Sequence, residues 1–122
     1  MPRWPDKFAA VVAIAGRVET ATAATYPAEA IEADRRVNHF VTAANPFEAL
    51  ARRVKHLPMW IFHGAADETA PVEQSRRLVP ALKAAGADVH YTEYPDTNHV
   101  GGADKACADH EMIKWLLEQR RK

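Results

Sequence analysis

Three short apolar runs, at residues 8–16, 57–64 and 89–94, have the length and composition of β-strands. The first run contains no polar alternation, which is typical of a strand buried on both faces of a parallel sheet. The second combines aromatic and branched residues and stops at a glycine. The third mixes polar and apolar positions and ends at Pro95, which favours a place nearer the sheet edge. We therefore predict three strands.

Apolar residues at helical spacing predict a helix over residues 71–85. Gly86 ends it, because glycine readily adopts the left-handed backbone found at helix termini. Pro80 lacks a backbone N–H, so it predicts a kink or a shortened first helical segment. The shared apolar stripe of this helix consists of Val72, Leu78, Val79 and Leu82.

Two further helices are predicted from their starting residues. Asn45 and Pro46 open a helix that extends to about residue 56, since proline suits the first helical position. Asp109 is a suitable N-cap for a final helix over residues 109–120. The predicted apolar face of that final helix consists of Met112, Ile113, Trp115, Leu116 and Leu117.

The resulting order is strand, helical insertion, strand, helix, strand, helix. Crossovers between parallel strands are right-handed and place helices against the sheet. The order therefore predicts an α/β fold, a three-layer αβα unit around a short parallel sheet. A chain of 122 residues has room for a single domain, 1–122, with an insertion at about 17–44 in which residues 28–36 favour helix.

Charge and cysteine content exclude several classes of protein. Sixteen Lys and Arg residues balance sixteen Asp and Glu residues, so no surplus positive charge is available for nucleic acid or an anionic membrane surface. No apolar run approaches the roughly 20 residues of a membrane span. Cys107 is the only cysteine, so it forms neither an internal disulfide nor a multi-thiolate metal site. This favours a reducing, cytoplasmic location.

Secretion stays open as an alternative location. Arg3 and Lys7 precede an apolar run, and small residues follow at 21–23, as in a secretory signal peptide. Asp6 among the basic residues and the short, strand-like run argue against this interpretation.

Two residues with matching chemistry follow the second and third predicted strands. Asp67 lies just beyond the second strand, and His99 lies in the loop beyond the third. If the two strands are parallel neighbours, both residues emerge at the carboxyl edge of the sheet, where sites form in open α/β sheets. A carboxylate bonded to one imidazole nitrogen orients the ring and leaves the other nitrogen free to act as a base. The pair corresponds to two thirds of a nucleophilic triad.

At these residues the chain resembles the α/β-hydrolase fold. The resemblance is to its esterase and peptidase branch, which includes prolyl-oligopeptidase-like, dienelactone-hydrolase-like and phospholipase/carboxylesterase-like enzymes. The branch pattern F-H-G-x-x-D-x-x-V-P, then helix, then Y-x-x-Y-P and G-H, is matched by residues 62–71 and 91–99. Residues 4–10 resemble the segment after the nucleophile helix of that branch. The resemblance implies that Asp67 is the triad acid and His99 the base.

The chain departs from the family pattern in three ways. Ala70 replaces the usual valine, and Asn98 replaces the usual glycine before the histidine. The nucleophile elbow G-x-S-x-G of this fold is absent. The alignment of residues 4–8 places that elbow upstream of Met1, so the chain resembles the C-terminal half of a hydrolase.

Other candidate residues have structural interpretations that we favour. Ser75 is the only serine, and it lies in a helical pattern without the strained, exposed turn that presents a nucleophile. Cys107 is interpreted as a small buried apolar residue. His63, where strand meets loop, is interpreted as a packed, hydrogen-bonded histidine. The three tryptophans, Trp4, Trp60 and Trp115, are interpreted as core or partner-contacting aromatics.

No metal or cofactor is predicted. No tight ligand spacing such as H-x-x-x-H accompanies the ligand-type side chains, and no nucleotide-binding glycine loop is present. The ligand-type side chains considered are His63, Asp67, His99 and His110.

Two functional hypotheses follow. In the first, the chain is part of a serine hydrolase acting on carboxylic esters or peptides, with Asp67 and His99 present and the nucleophile supplied elsewhere. In the second, it is an inactive module that assembles through its exposed first strand, because an unpaired apolar edge is a template for pairing with another chain. We expect a homo-oligomer in which copies join at this strand or cover it with the 17–44 insertion. A truncated reading frame of an ordinary hydrolase is a third possibility.

Overall fold

The computed structural model describes residues 7–18 and 45–120. Most of the predicted insertion at 17–44, the helix at 28–36 and the first six residues lie outside these ranges. Within the described ranges, no helix has the length and hydropathy needed to cross a membrane.

The described chain forms a three-stranded parallel sheet with helices before and after its strands. The sheet order follows the chain, so β2 is the central strand. Met59 on β2 is in register with both Val11 and Val89. The predicted α/β class and parallel sheet are therefore confirmed. In chain order the elements are β1 (Val11–Ile14), α1 (Pro46–Val54), β2 (Met59–Gly64), α2 (Glu73–Ala84), β3 (Val89–Tyr94), α3 (His99–Cys107) and α4 (His110–Glu118).

Alternating side chains of β2 divide the core between the two faces of the sheet. Met59 and Ile61 belong to a cluster that includes the buried residues of α1 and α2. Phe62 belongs to a second cluster with Ala106 of α3 and Met112 of α4. Two helices thus cover each face, which gives the predicted three layers.

The first strand is shorter than predicted. It begins at Val11 and ends at Ile14, because Ala15 has a φ of 51° and leaves the extended conformation. Ala15 still donates its N–H to the carbonyl oxygen of Phe62, at 2.9 Å. The second strand begins at Met59, since Pro58 has no N–H to contribute to the ladder.

The first two helices form close to their predicted positions. The side chain of Asn45 accepts the N–H of Glu48 and caps α1, which ends at Val54. Helix α2 continues through Pro80 from Glu73 to Ala84, so the helix is not broken at the proline. Gly86 has the predicted left-handed backbone, with a φ of 85°. The predicted apolar stripe of α2, Val72, Leu78, Val79 and Leu82, is buried.

Helix α4 has the predicted cap but not the predicted burial. Asp109 accepts the N–H of Met112, which is the buried apolar residue of this helix. Trp115 packs edge-on against Trp60, with ring centroids 5.7 Å apart. The remaining apolar positions, Ile113, Leu116 and Leu117, are exposed among the described residues.

An ion pair joins α2 to β3. Two nitrogens of the Arg76 guanidinium each lie 2.9 Å from an oxygen of Glu93. The hydrogen bond from Arg76 is the main reason that the pKa of Glu93 is lowered to about 2. Tyr91 donates its hydroxyl to the same carboxylate. These contacts fix the first turns of α2 against the sheet.

Candidate active site

Asp67 lies in the turn after β2, and both oxygens of its carboxylate accept hydrogen bonds from the protein. The Asp67 side chain has no solvent exposure. Its Oδ1 accepts the backbone N–H groups of Thr69 and Ala70, at 2.9 and 2.8 Å. A short polar side chain that bonds the backbone two and three residues ahead stabilises such a turn. The turn and the carboxylate orientation therefore depend on each other.

These hydrogen bonds also determine the charge of Asp67. Burial alone raises the pKa of the carboxyl group, because it disfavours the charged form. Hydrogen bonds from the Ala70 amide, the His99 ring and the Thr69 amide outweigh burial and place the pKa below its ordinary value of 3.8. Asp67 is consequently a carboxylate at neutral pH.

His99 lies against Asp67, as the sequence predicted, but it is in a helix rather than in a loop. It is the first residue of α3, and the Asn98 side chain caps this helix by accepting the Gly101 N–H at 2.8 Å. His99 Nδ1 lies 2.7 Å from Asp67 Oδ2. The side chain of His99 is 42% exposed, whereas that of Asp67 is fully buried.

This geometry assigns the roles of the two His99 nitrogens. Because the Asp67 carboxylate only accepts hydrogen bonds, Nδ1 carries the proton and donates it to Oδ2. The neutral ring therefore has its lone pair on Nε2, and no described residue hydrogen-bonds this nitrogen. Such an imidazole can take a proton at Nε2 while the carboxylate stabilises the resulting positive charge.

Asn98 explains how the chain tolerates the absence of the usual glycine before the histidine. Its φ of −79° and ψ of −177° are extended, so the position requires no glycine. The left-handed residue of this turn is Asp96, with a φ of 50°. The turn is closed by Thr97, whose hydroxyl donates to the carbonyl of Pro95 and accepts from Lys105.

Gly64 brings the two loops together. A Cβ at this position would overlap the carbonyl oxygen of Thr97 and lie 2.8 Å from that of Asn98. A hydrogen bond from the Ala66 N–H to the Thr97 carbonyl, at 3.0 Å, stabilises this close approach of the two loops. The sequence indicated Gly64 only as a strand end, because a contact with residues more than thirty positions away has no local pattern.

His63 and Ser75 form a buried pair beneath Asp67. Nδ1 of His63 lies 2.7 Å from Ser75 Oγ, and Nε2 lies 2.7 Å from the carbonyl oxygen of Ala70. Both side chains are buried, and Ser75 lies within α2. The Ser75 hydroxyl is thus enclosed by the protein rather than presented on an exposed turn.

The other candidates do not join Asp67 and His99. Cys107 is exposed at the end of α3, so its interpretation as a buried apolar residue was wrong. Within the described ranges, no group of three or more His, Cys, Asp or Glu residues could hold a metal ion. Trp60 and Trp115 pack together, and Trp4 lies outside the described residues.

A family model and several solved structures match this chain. The model of the prolyl oligopeptidase family matches residues 1–122. A thermostable esterase is 36% identical over 58% of this chain and 21% of its own, with a TM-score of 0.55. An acylaminoacyl peptidase from Pyrococcus horikoshii is 18% identical over 94% of this chain and 20% of its own, with a TM-score of 0.61. TT1662 from Thermus thermophilus is 14% identical over 98% of this chain and 50% of its own, with a TM-score of 0.66.

The parallel sheet, its two helical layers and these neighbours define an α/β-hydrolase-type unit. The chain belongs to the prolyl oligopeptidase family. It spans about a fifth of the esterase and of the peptidase, and half of the Thermus protein.

Proposed function

We propose that this chain carries the acid and the base of a serine hydrolase that cleaves carboxylic esters or peptides. The observation that supports this is the 2.7 Å contact between Nδ1 of the partly exposed His99 and the buried Asp67 carboxylate. A buried carboxylate that orients an accessible imidazole is an arrangement suited to general-base catalysis. Family membership and the similarity to an esterase support the same reaction class.

In the proposed reaction, His99 Nε2 removes the proton of a serine hydroxyl as its oxygen attacks the substrate carbonyl carbon. Asp67 stabilises the imidazolium that forms. The same Nε2 proton then passes to the leaving alcohol or amine, and an acyl-enzyme remains. In the second half, Nε2 takes a proton from water as the water oxygen attacks the acyl carbonyl carbon. Nε2 then passes this proton to the serine oxygen as the bond between that oxygen and the acyl carbon breaks and the carboxylic acid leaves.

The nucleophile in this proposal comes from outside the present sequence. Ser75, its only serine, lies in a helix with its hydroxyl bonded to His63. A catalytic serine needs to face both its base and the substrate. Another segment or another polypeptide would supply the elbow and the oxyanion hole.

The experiment compares the chain alone with a chimera. In the chimera, residues 59–107 of this chain, from β2 to the end of α3, replace the corresponding segment of the thermostable esterase. We expect the chimera to hydrolyse p-nitrophenyl acetate. The chain alone should react no faster than its Asp67→Ala, His99→Ala double variant. Excess activity of the chain alone that disappears in the double variant would contradict an external nucleophile. A folded but inactive chimera would contradict the proposed function.

A second candidate role is assembly through β1. In the described part of the chain, β1 pairs with β2 and forms one edge of the sheet. Its residues after Val11 are half-buried rather than fully covered. An edge strand of this composition can pair with the same strand of a second copy.

We expect a homodimer or larger assembly in light scattering coupled to size-exclusion chromatography. A Val12→Lys substitution should shift the assembly toward monomer, because it places a charge on the edge strand. Val12 also packs against the cluster of Phe62, Ala106 and Met112, so amide spectra are needed to verify that this variant is folded. Val100→Lys, at a position that is 66% exposed on α3, is the matched control and should leave the mass unchanged. A strict monomer of the unmodified chain at all micromolar concentrations would overturn assembly through β1.

A further inference from the structure

His63 is a fully buried titratable residue that the proposed mechanism does not use. Its side chain has no solvent exposure, yet each ring nitrogen has a partner at 2.7 Å. Burying an imidazole is costly unless its nitrogens are hydrogen-bonded, so the surrounding contacts must compensate for that cost. Those contacts lead from His63 directly to Asp67.

The partners of His63 fix which ring nitrogen carries the proton. The carbonyl oxygen of Ala70 can only accept, so Nε2 carries the proton and donates it. Nδ1 of the neutral ring is then an acceptor, and its partner Ser75 has a hydroxyl that can donate. The Ala70 carbonyl therefore fixes the tautomer of His63, and the Ser75 hydroxyl supports it by donating to Nδ1.

Ala70 connects this bond to the carboxylate. Its carbonyl accepts from His63, and its N–H donates to Asp67 Oδ1 at 2.8 Å. Nε2 of His63 also lies 3.4 Å from Asp67 Oδ2, the oxygen that accepts the hydrogen bond from His99 Nδ1. The turn that carries Asp67 is thus hydrogen-bonded to His63 of β2, and His63 is in turn hydrogen-bonded to Ser75 of α2.

We propose that His63 and Ser75 are positioning residues. They hold the Asp67 carboxylate in the orientation that accepts the hydrogen bond from the His99 Nδ1–H group. The catalytic significance of this alignment rests on the proposed function, but the alignment itself can be measured without any activity. If the Nε2 donor is lost, the buried carbonyl of Ala70 has no partner. Ala70 then rotates, and its N–H no longer fixes Oδ1.

Two substitutions of His63 distinguish this positioning role from a contribution by packing alone. Glutamine extends far enough to place an amide N–H near the position of Nε2, whereas the shorter asparagine reaches only the position of Nδ1. His63→Gln therefore keeps the donor to Ala70, and His63→Asn removes it. Ser75→Ala is a milder test, because it removes only the hydroxyl that donates to Nδ1 of His63 and leaves the bond from Nε2 to Ala70 in place.

The measurement is proton NMR of the full chain, which reports the His99 Nδ1–H as a far-downfield signal when it is bonded to a carboxylate. We expect His63→Asn to abolish this signal and His63→Gln to retain it. Ser75→Ala should accelerate its exchange with water at least tenfold. Amide spectra of β2 and β3 verify that each variant is folded.

An unchanged signal in His63→Asn would overturn the positioning role, as would loss of the signal in His63→Gln. If His63→Asn does not fold, Ser75→Ala decides the question, and unchanged exchange in that variant also overturns the role. Failure of the proposed function is a different result. In that case, the chimera is inactive while the His99 signal still responds to His63.

Discussion

Replacing Asp67 with asparagine is expected to lower kcat of the ester-hydrolysing chimera by about 10⁴-fold, the effect of giving a catalytic histidine the wrong tautomer. Asp67 accepts hydrogen bonds on both carboxylate oxygens, two from backbone amides on Oδ1 and one from His99 on Oδ2. Asparagine has one acceptor oxygen and one donor NH₂ group. It cannot satisfy both sides of this site.

The more favourable asparagine orientation keeps the oxygen toward the amides of Thr69 and Ala70. The NH₂ group then faces His99, whose Nδ1 must lose its proton in order to accept. The proton of the neutral ring moves to Nε2, and this nitrogen can no longer act as the base. We therefore expect a large loss of kcat and only a small change in the free energy of unfolding.

Steady-state kinetics of the chimera with p-nitrophenyl acetate measure this effect. Asp104→Asn is the matched control, because Asp104 is an exposed residue of α3, the helix that His99 begins. We expect the control to retain the activity of the unmodified chimera. An Asp67→Asn chimera that stays within tenfold of the unmodified rate would refute the role of Asp67.

Replacing Gly64 with alanine is expected to destabilise the chain by about 3 kcal/mol, the upper end of the usual range for overpacking. The added methyl group would overlap the Thr97 carbonyl oxygen and approach that of Asn98. Both obstacles are backbone atoms, and the Ala66 N–H holds the Thr97 carbonyl in place. The loop before α3 must move outward, and it carries His99 away from Asp67.

Urea denaturation of the full chain measures the free energy of unfolding. Gly16→Ala is the matched control, since a Cβ at Gly16 meets nothing within 4 Å. The control should change stability by less than about 1 kcal/mol, with stabilisation the favoured direction. Equal free energies of unfolding for Gly64→Ala and the unmodified chain would contradict the close approach.

Local patterns predicted the sheet and the proximity of Asp67 and His99 for a clear physical reason. Strands buried on both faces have a strong apolar signal, and parallel strands bring their carboxyl ends to one edge. Asp67 and His99 each follow such a strand, so their proximity depends on topology that the pattern reveals. The match to the hydrolase pattern added the expected roles of the two residues.

The features that align the pair could not be predicted in the same way. Helix α3 was missed because it contains Gly101 and Gly102, and its formation depends on the Asn98 cap and on packing against β2. The bond between His63 and Ser75 joins a strand to a helix, and only the tertiary fold defines it. The exposure of α4 was also missed, because an apolar stripe predicts a buried face but not what covers it.

The contacts that align Asp67 with His99 join β2, α2, β3 and the beginning of α3, which follow one another in the chain. None of the bonds described for the pair involves β1 or α1. A single genetic exchange spanning this stretch would therefore carry Asp67, His99 and their supporting residues together. If the two residues are the acid and base proposed above, they can be inherited as one linked unit, separately from the nucleophile.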